Sequence, residues 1–156
     1  MMFRSPTLGI LTLEQVAEDI VRQRLADPDA RFRLIIGTDS QPQRSEATFV
    51  TAIIFHKLGR GARYYVHKEQ HQHMRSLRHR MFTEASLSIQ TGGLLTEQLE
   101  TVSGEWHIEV HLDIGENGET KKWIREIVSW IEMNGYEAII KPDSFGASKV
   151  ADRYTK

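Results

Sequence analysis

Four acidic residues, Asp39, Glu84, Asp113 and Asp152, stand in contexts that could bring carboxylates to one place. Asp39 closes the apolar run FRLIIGTD and Asp113 closes WHIEVHLD, each followed by turn residues. Glu84 comes seven residues after Leu77, about 20° away around a helix at ~100° per residue. A helix that turns Leu77 and Met81 to a sheet therefore turns Glu84 there too. An ionised carboxylate on an inward helical face is costly, so it asks for a partner cation or the mouth of a cleft. Asp152 lies four residues after Ser148 in the last segment, within reach of the same sheet end if that segment packs back. Carboxylates gathered in this way suit hard divalent cations, magnesium or manganese, which take oxygen ligands at ~2.0–2.1 Å in the magnesium case. Two such ions ~3.5–4 Å apart can clamp both the attacking and the leaving oxygen of a phosphodiester displacement. Plainer readings stand beside this one. A strand-end Asp also serves as a turn or cap residue, Glu84 could face solvent, and Asp152 beside Arg153 could be a surface charge near a chain end.

The stretch from His67 to Arg80, HKEQHQHMRSLRHR, holds four histidines together with Lys68, Arg75, Arg78 and Arg80 against the single acid Glu69. Such a patch can follow a phosphate backbone, or it can be the solvated start of a helix. As a zinc site it is weak, because His71 and His73 are two apart rather than the i, i+4 pair that one helical face supplies. The chain has no cysteine, which excludes a disulfide framework, a thiolate metal site and a cysteine nucleophile. Charge is unevenly placed: net +5 over residues 1–80, −8 over 81–120, where no Lys or Arg occurs, and +2 over 121–156. The acidic block either collects carboxylates for a cation or is a solvated face. The DIGENGET segment lacks the Lys-Ser/Thr ending of a phosphate loop and reads as a turn.

The elements that must position these residues follow from periodicity. Thr12 with Gln15 is a capping-box signature and opens a helix through Leu13, Val16, Ile20, Val21 and Leu25, stopped near Ala26 by Asp27-Pro28-Asp29. Strands are expected at 32–39, about 47–56 and about 62–67, joined by links short enough for hairpins. A long helix starts near His73. A fourth strand spans 106–113, an amphipathic helix 120–134, a fifth strand 137–140, and Pro142-Asp143-Ser144 opens a last helix. The 106–113 strand carries His107, Glu109, His111 and Asp113 on one face, so that face must meet water, partners or a metal. The expectation is one α/β domain over 1–156 with a mixed five-stranded sheet, three antiparallel strands then parallel β-α-β-α-β, flanked by helices, an extra N-terminal helix at about 12–26 and a core at about 32–156. In such sheets sites form beyond the C-terminal ends of the parallel strands. With 40% hydrophobic and 26% charged residues the chain is ordinary for a globular protein. No run approaches the ~18 apolar residues of a membrane span, and a cytoplasmic location is expected.

IGTDSQ, TEASLS, VHLDIG and KPDSFGASKVADRYTK, in this order and spacing, resemble the RNase H-like family that includes the YkuK proteins. The resemblance covers roughly Phe32 to Lys156. It implies an RNase H-like fold and a nuclease in which four acids hold two Mg2+ or Mn2+ ions: Asp39 as the carboxylate that bridges them, Glu84 and Asp113 on one side, Asp152 as the fourth, with His111 as a group behind Asp113. Nucleic acid (RNA, RNA–DNA hybrid or structured DNA) is the implied partner, bound with help from Lys68, Arg75, Arg78 and Arg80. A non-catalytic nucleic-acid-binding module with the same fold, and an interaction protein whose acids are surface charge, are the alternatives, since fold does not fix function.

Overall fold

The computed structural model describes residues 1–101, 105–115 and 118–144. Its elements in chain order are β1 (Met2–Ser5), β2 (Gly9–Thr12), α1 (Leu13–Ala26), β3 (Phe32–Gln43), β4 (Glu46–Lys57), β5 (Gly61–His71), α2 (Leu77–Glu100), β6 (Ile108–His111), a 3₁₀ turn (Glu119–Trp123), α3 (Ile124–Met133) and β7 (Glu137–Ile139). The strands form one mixed sheet in the order β2-β1-β5-β4-β3-β6-β7. β3, β4 and β5 are antiparallel neighbours, while β6 runs parallel to β3 and β7 parallel to β6.

The five-stranded expectation is too small. Met2–Ser5 and Gly9–Thr12 form an antiparallel hairpin that enlarges the sheet to seven strands. Ser5 Oγ makes its turn by accepting from the N–H of Thr7 and Leu8 at 3.2 and 3.3 Å. The hairpin joins β5 through the Arg4–Val66 pair, and Met2 O lies 2.8 Å from His67 Nδ1. β3 and β5 also run longer than expected, to Gln43 and His71, because continuous pairing with β4 carries them past the apolar stretches, so Asp39 lies within β3 rather than closing it before a turn. α2 begins at Leu77 rather than near His73: residue 73 has φ of 60°, and Ser76 caps the helix by accepting from the His79 N–H. The 106–113 strand shrinks to Ile108–His111, and the 120–134 helix divides into the 3₁₀ turn and α3. The expected last helix falls mostly outside the described residues.

α1 forms as its sequence dictates. Thr12 accepts from the Gln15 N–H while the Gln15 side chain accepts from the Thr12 N–H, so both ends of the capping box are made. Val16, Ala17 and Ile20 then pack with Leu95 and Leu99 of α2 on Leu34, Ile36, Ile53 and Phe55 of the sheet. α3 places Ile127 and Ile131 with Met81 and Ala85 of α2 on Val110, Leu112 and Ile114. All three helices thus lie on one face. Alternation turns Ile35, Val50, Ala52, Ile54 and Val66 to the other, where they form a second buried cluster. Among the described residues no helix is long and apolar enough to cross a membrane.

Candidate active site at the C-terminal ends of β3 and β6

Along β3, alternation points Thr38 and Ser40 at α2 and Asp39 at the other face. Thr38 Oγ1 lies 2.8 Å from Ser88 Oγ and 3.0 Å from Thr51 Oγ1, which locks α2 against the sheet at this level. One helical turn earlier, Glu84 is buried at 8% exposure, and Ser40 donates its hydroxyl hydrogen to Glu84 Oε2 at 2.5 Å. Glu84 thus faces the sheet, as its spacing from Leu77 and Met81 predicts, and its partner there is the Ser40 hydroxyl. Burial is the main reason that the Glu84 carboxyl is pushed up to about 8. The Ser40 hydrogen bond opposes this, the charge of Asp39 adds to it, the Arg80 guanidinium opposes it, and Asp113 adds again. Asp39 and Asp113 thus each stand within electrostatic reach of Glu84.

Asp113 follows the end of β6 and is 45% exposed at its side chain; the Lys141 ammonium lies 2.8 Å from its Oδ1. Lys141 is fixed there because the chain beyond β7 stays beside the chain beyond β6. The Leu112 N–H donates to Ile139 O at 2.9 Å and the Lys141 N–H to Ile114 O at 2.8 Å. A side chain at Gly115 would come within 3.2 Å of Lys141 Cβ, so Lys141 would have to give by a few tenths of an ångström to admit one. Asp152 lies outside the described residues. The all-oxygen donor set fits a hard cation in type, and a cation beside Glu84 would oppose what now keeps it protonated. As arranged, among the described residues no group of three or more His, Asp or Glu side chains is set to hold an ion, and Lys141 occupies one side of Asp113.

The polar face of β6 meets partners. Arg33 grips Glu109 with two hydrogen bonds, Nε to Oε2 at 2.9 Å and Nη2 to Oε1 at 2.5 Å, and His111 Nε2 lies 3.0 Å from the same Oε1. Glu109 is 7% and His111 0% exposed. The Arg33 hydrogen bonds, against the effect of burial, hold the Glu109 carboxyl down at about 2, and burial lowers the proton affinity of His111. His111 is thus set in an ion-pair network two residues before Asp113.

The basic stretch does not form one patch. Lys68 is exposed on β5, on the face away from α1 and α2, and Arg75 is exposed in the loop before α2. Arg78 lies over the Phe82 ring at 4.4 Å and 4.0 Å from Glu126. Arg80 turns to the carboxylates, with Nη1 donating to Ser40 Oγ at 3.4 Å. His67 and His71 sit on either side of Glu69 at 3.2 and 2.7 Å. Ser40, Lys141 and Arg33 are the residues that the sequence reading missed. Ser40 is adjacent to Asp39 and could have been included on alternation alone; nothing local marks Lys141 or Arg33.

A family model described as Ribonuclease H-like matches residues 15–156. The chain is 37% identical to the "Uncharacterized protein YkuK" of Bacillus subtilis (strain 168) over 162 residues, covering 94% of this chain and 92% of that relative. No solved structure gives a significant match.

Proposed function

This chain belongs to the ribonuclease H-like family, and from that premise we propose that it is a metal-dependent nuclease that hydrolyses phosphodiester bonds of nucleic acid. Asp39, Glu84, Asp113 and Asp152 would hold two Mg2+ or Mn2+ ions, with Asp39 between them. The observation that carries the reading is the buried Glu84 carboxyl, set against Ser40 of β3 and raised by burial and by the charges of Asp39 and Asp113. The reading is supported by the charges of Asp39, from a strand, and Asp113, beyond a second strand, both acting on Glu84 of α2, on the side of the sheet where α/β proteins bind ligands. Bound there, the ions would supply Lewis-acid stabilisation of the attacking and leaving oxygens. The protein's own part is orientation and charge: Ser40 fixes the Glu84 carboxyl by its hydroxyl, and the Thr38–Ser88 contact holds α2 at the depth that this requires.

A second reading, a nucleic-acid-binding module that does not cleave, is favoured by the Lys141–Asp113 contact, which places an ammonium where a ligand would have to turn to an ion. One experiment separates the two. Pure protein and Asp39→Asn are titrated with Mn2+ by calorimetry, while labelled RNA–DNA hybrid and branched DNA are assayed in parallel for cleavage. Saturable metal binding and cleavage, both lost in Asp39→Asn, support the nuclease. Nucleic-acid binding without cleavage supports the module. Cleavage unchanged by Asp39→Asn would sink the mechanism.

A further inference from the structure

Among the described residues four arginines are half-buried: Arg24, Arg33, Arg63 and Arg80. Arg33 and Arg63 pair with Glu109 and Asp19, and Arg24 lies over the Phe32 and Trp106 rings at 4.8 and 4.4 Å. Among the described residues Arg80 has neither a carboxylate at ion-pair distance nor a ring. Its Nε is closed off from water with no acceptor, and its one side-chain hydrogen bond is the 3.4 Å contact from Nη1 to Ser40 Oγ. A guanidinium cannot discharge by losing its proton, and it presents a planar fork of donors suited to phosphate oxygens. Here Nε is enclosed, so the head is held beside the Ser40 hydroxyl and within electrostatic reach of Glu84, and among the described residues Nη2 has no hydrogen-bond partner. The acidic residues nearby disfavour a polyanion, and a fixed cation beside Glu84 offsets this at one point.

We infer that Arg80 is a substrate-contacting residue of this site, receiving one phosphate of a nucleic-acid strand on its Nη1 and Nη2 groups. The inference rests on the nucleic-acid reading above and singles out one member of the basic stretch as part of the site. The competing role is local: Arg80 stands four residues before Glu84 on α2 and could serve only to balance its charge.

The test is equilibrium binding of a short fluorescent RNA–DNA hybrid, followed by anisotropy in EDTA over a salt series, so that no divalent ion takes part. Arg80→Gln should bind about tenfold more weakly, with the slope of log K against log salt smaller by about one phosphate contact, ~0.9 on the duplex-DNA scale. Arg80→Lys, which keeps the charge but not the fork, should keep the slope and lose part of the affinity. At about pH 9, where Glu84 ionises, the Arg80→Gln loss should persist when Glu84 is already Gln, because no charge at 84 then remains to balance. If the loss disappears in that background, Arg80 is a counter-ion and the inference fails. Equal affinity and slope for wild type and Arg80→Gln overturn the inference but leave the nuclease reading standing. No binding by the wild type overturns both.

Discussion

Replacing Glu84 with glutamine should stabilise the protein at alkaline pH and leave it nearly unchanged at acid pH. Glutamine copies the neutral carboxyl in shape and still accepts the Ser40 hydrogen bond, but it never ionises. In the wild type, burial, Asp39 and Asp113 push the Glu84 carboxyl from an ordinary 4.5 up to about 8. The folded protein then holds a proton that the unfolded chain releases, so stability falls as pH rises from about 4.5 to about 8 and levels off above that. At ~1.4 kcal/mol per pH unit, the loss between about pH 5 and pH 8.5 is on the order of 4 kcal/mol. That corresponds to roughly 10 °C in Tm for a chain of this size. The assay is urea unfolding of wild type and Glu84→Gln without divalent ions at those two pH values; every other titrating group is common to both proteins and cancels. Glu84→Gln should be the more stable protein at pH 8.5, with a gap several-fold larger than at pH 5. Excess Mn2+ at pH 8.5 should then raise the wild type and not the variant, since a ligand stabilises the state that binds it. A gap independent of pH would refute the reasoning, because Glu84 would then be ionised in its site or open to water.

Three further outcomes are expected. Glu109→Gln should cost about 2–3 kcal/mol near neutral pH, below the ~3–5 of a fully buried broken pair because Arg33 is 29% exposed. With the Glu109 carboxyl held at about 2, its contribution is present above about pH 4.5 and fades as pH falls toward 2, so urea unfolding should show the deficit shrinking in acid, and a constant deficit would refute this. Thr12→Ala, which removes the side-chain half of the capping box, should cost about 1 kcal/mol in the same assay; no loss would mean that α1 starts without its cap. At Gly92 a methyl group would come within 3.0 Å of Tyr136 Cζ, so Gly92→Ala should lose about 1 kcal/mol, overpacking of ~1–3 outweighing a helix-propensity gain of ~1. In a Tyr136→Leu background the change should no longer destabilise, and a gain in the wild-type background would contradict the close approach.

Much of this architecture was legible because its causes are local. The Thr12–Gln15 box and the heptad-like apolar spacing define α1 within a few residues of themselves, and the turn residues after His56 and Asp113 punctuate the strands. Glu84 could be placed on the inward face of α2 from its distance to Leu77 alone, since helical periodicity needs no knowledge of the rest of the chain. The N-terminal hairpin carried a weaker local sign: Phe3 and Ser5 alternate, and Pro6 precedes the turn. The two strands are four residues each, too short to stand out as a pattern, and they gain stability from pairing with β5, some sixty residues away.

The partners at the site came from tertiary structure. Ser40 meets Glu84 because Thr38 and Ser88 set how α2 lies across β3. Lys141 reaches Asp113 because the chain after β7 runs beside the chain after β6. Arg33 takes Glu109 because parallel pairing sets Ile35 opposite Glu109 and leaves Arg33 diagonal to it. Each of these contacts joins residues more than twenty-five positions apart, and its geometry is set by strand register and helix docking, which no window of sequence contains. The sequence by itself determined that Glu84 faces the sheet and that Asp113 follows the end of its strand. Only the folded chain decided that burial raises the Glu84 carboxyl, that Lys141 stands beside Asp113, and that Arg80 turns its cation toward Glu84, because each depends on register and docking.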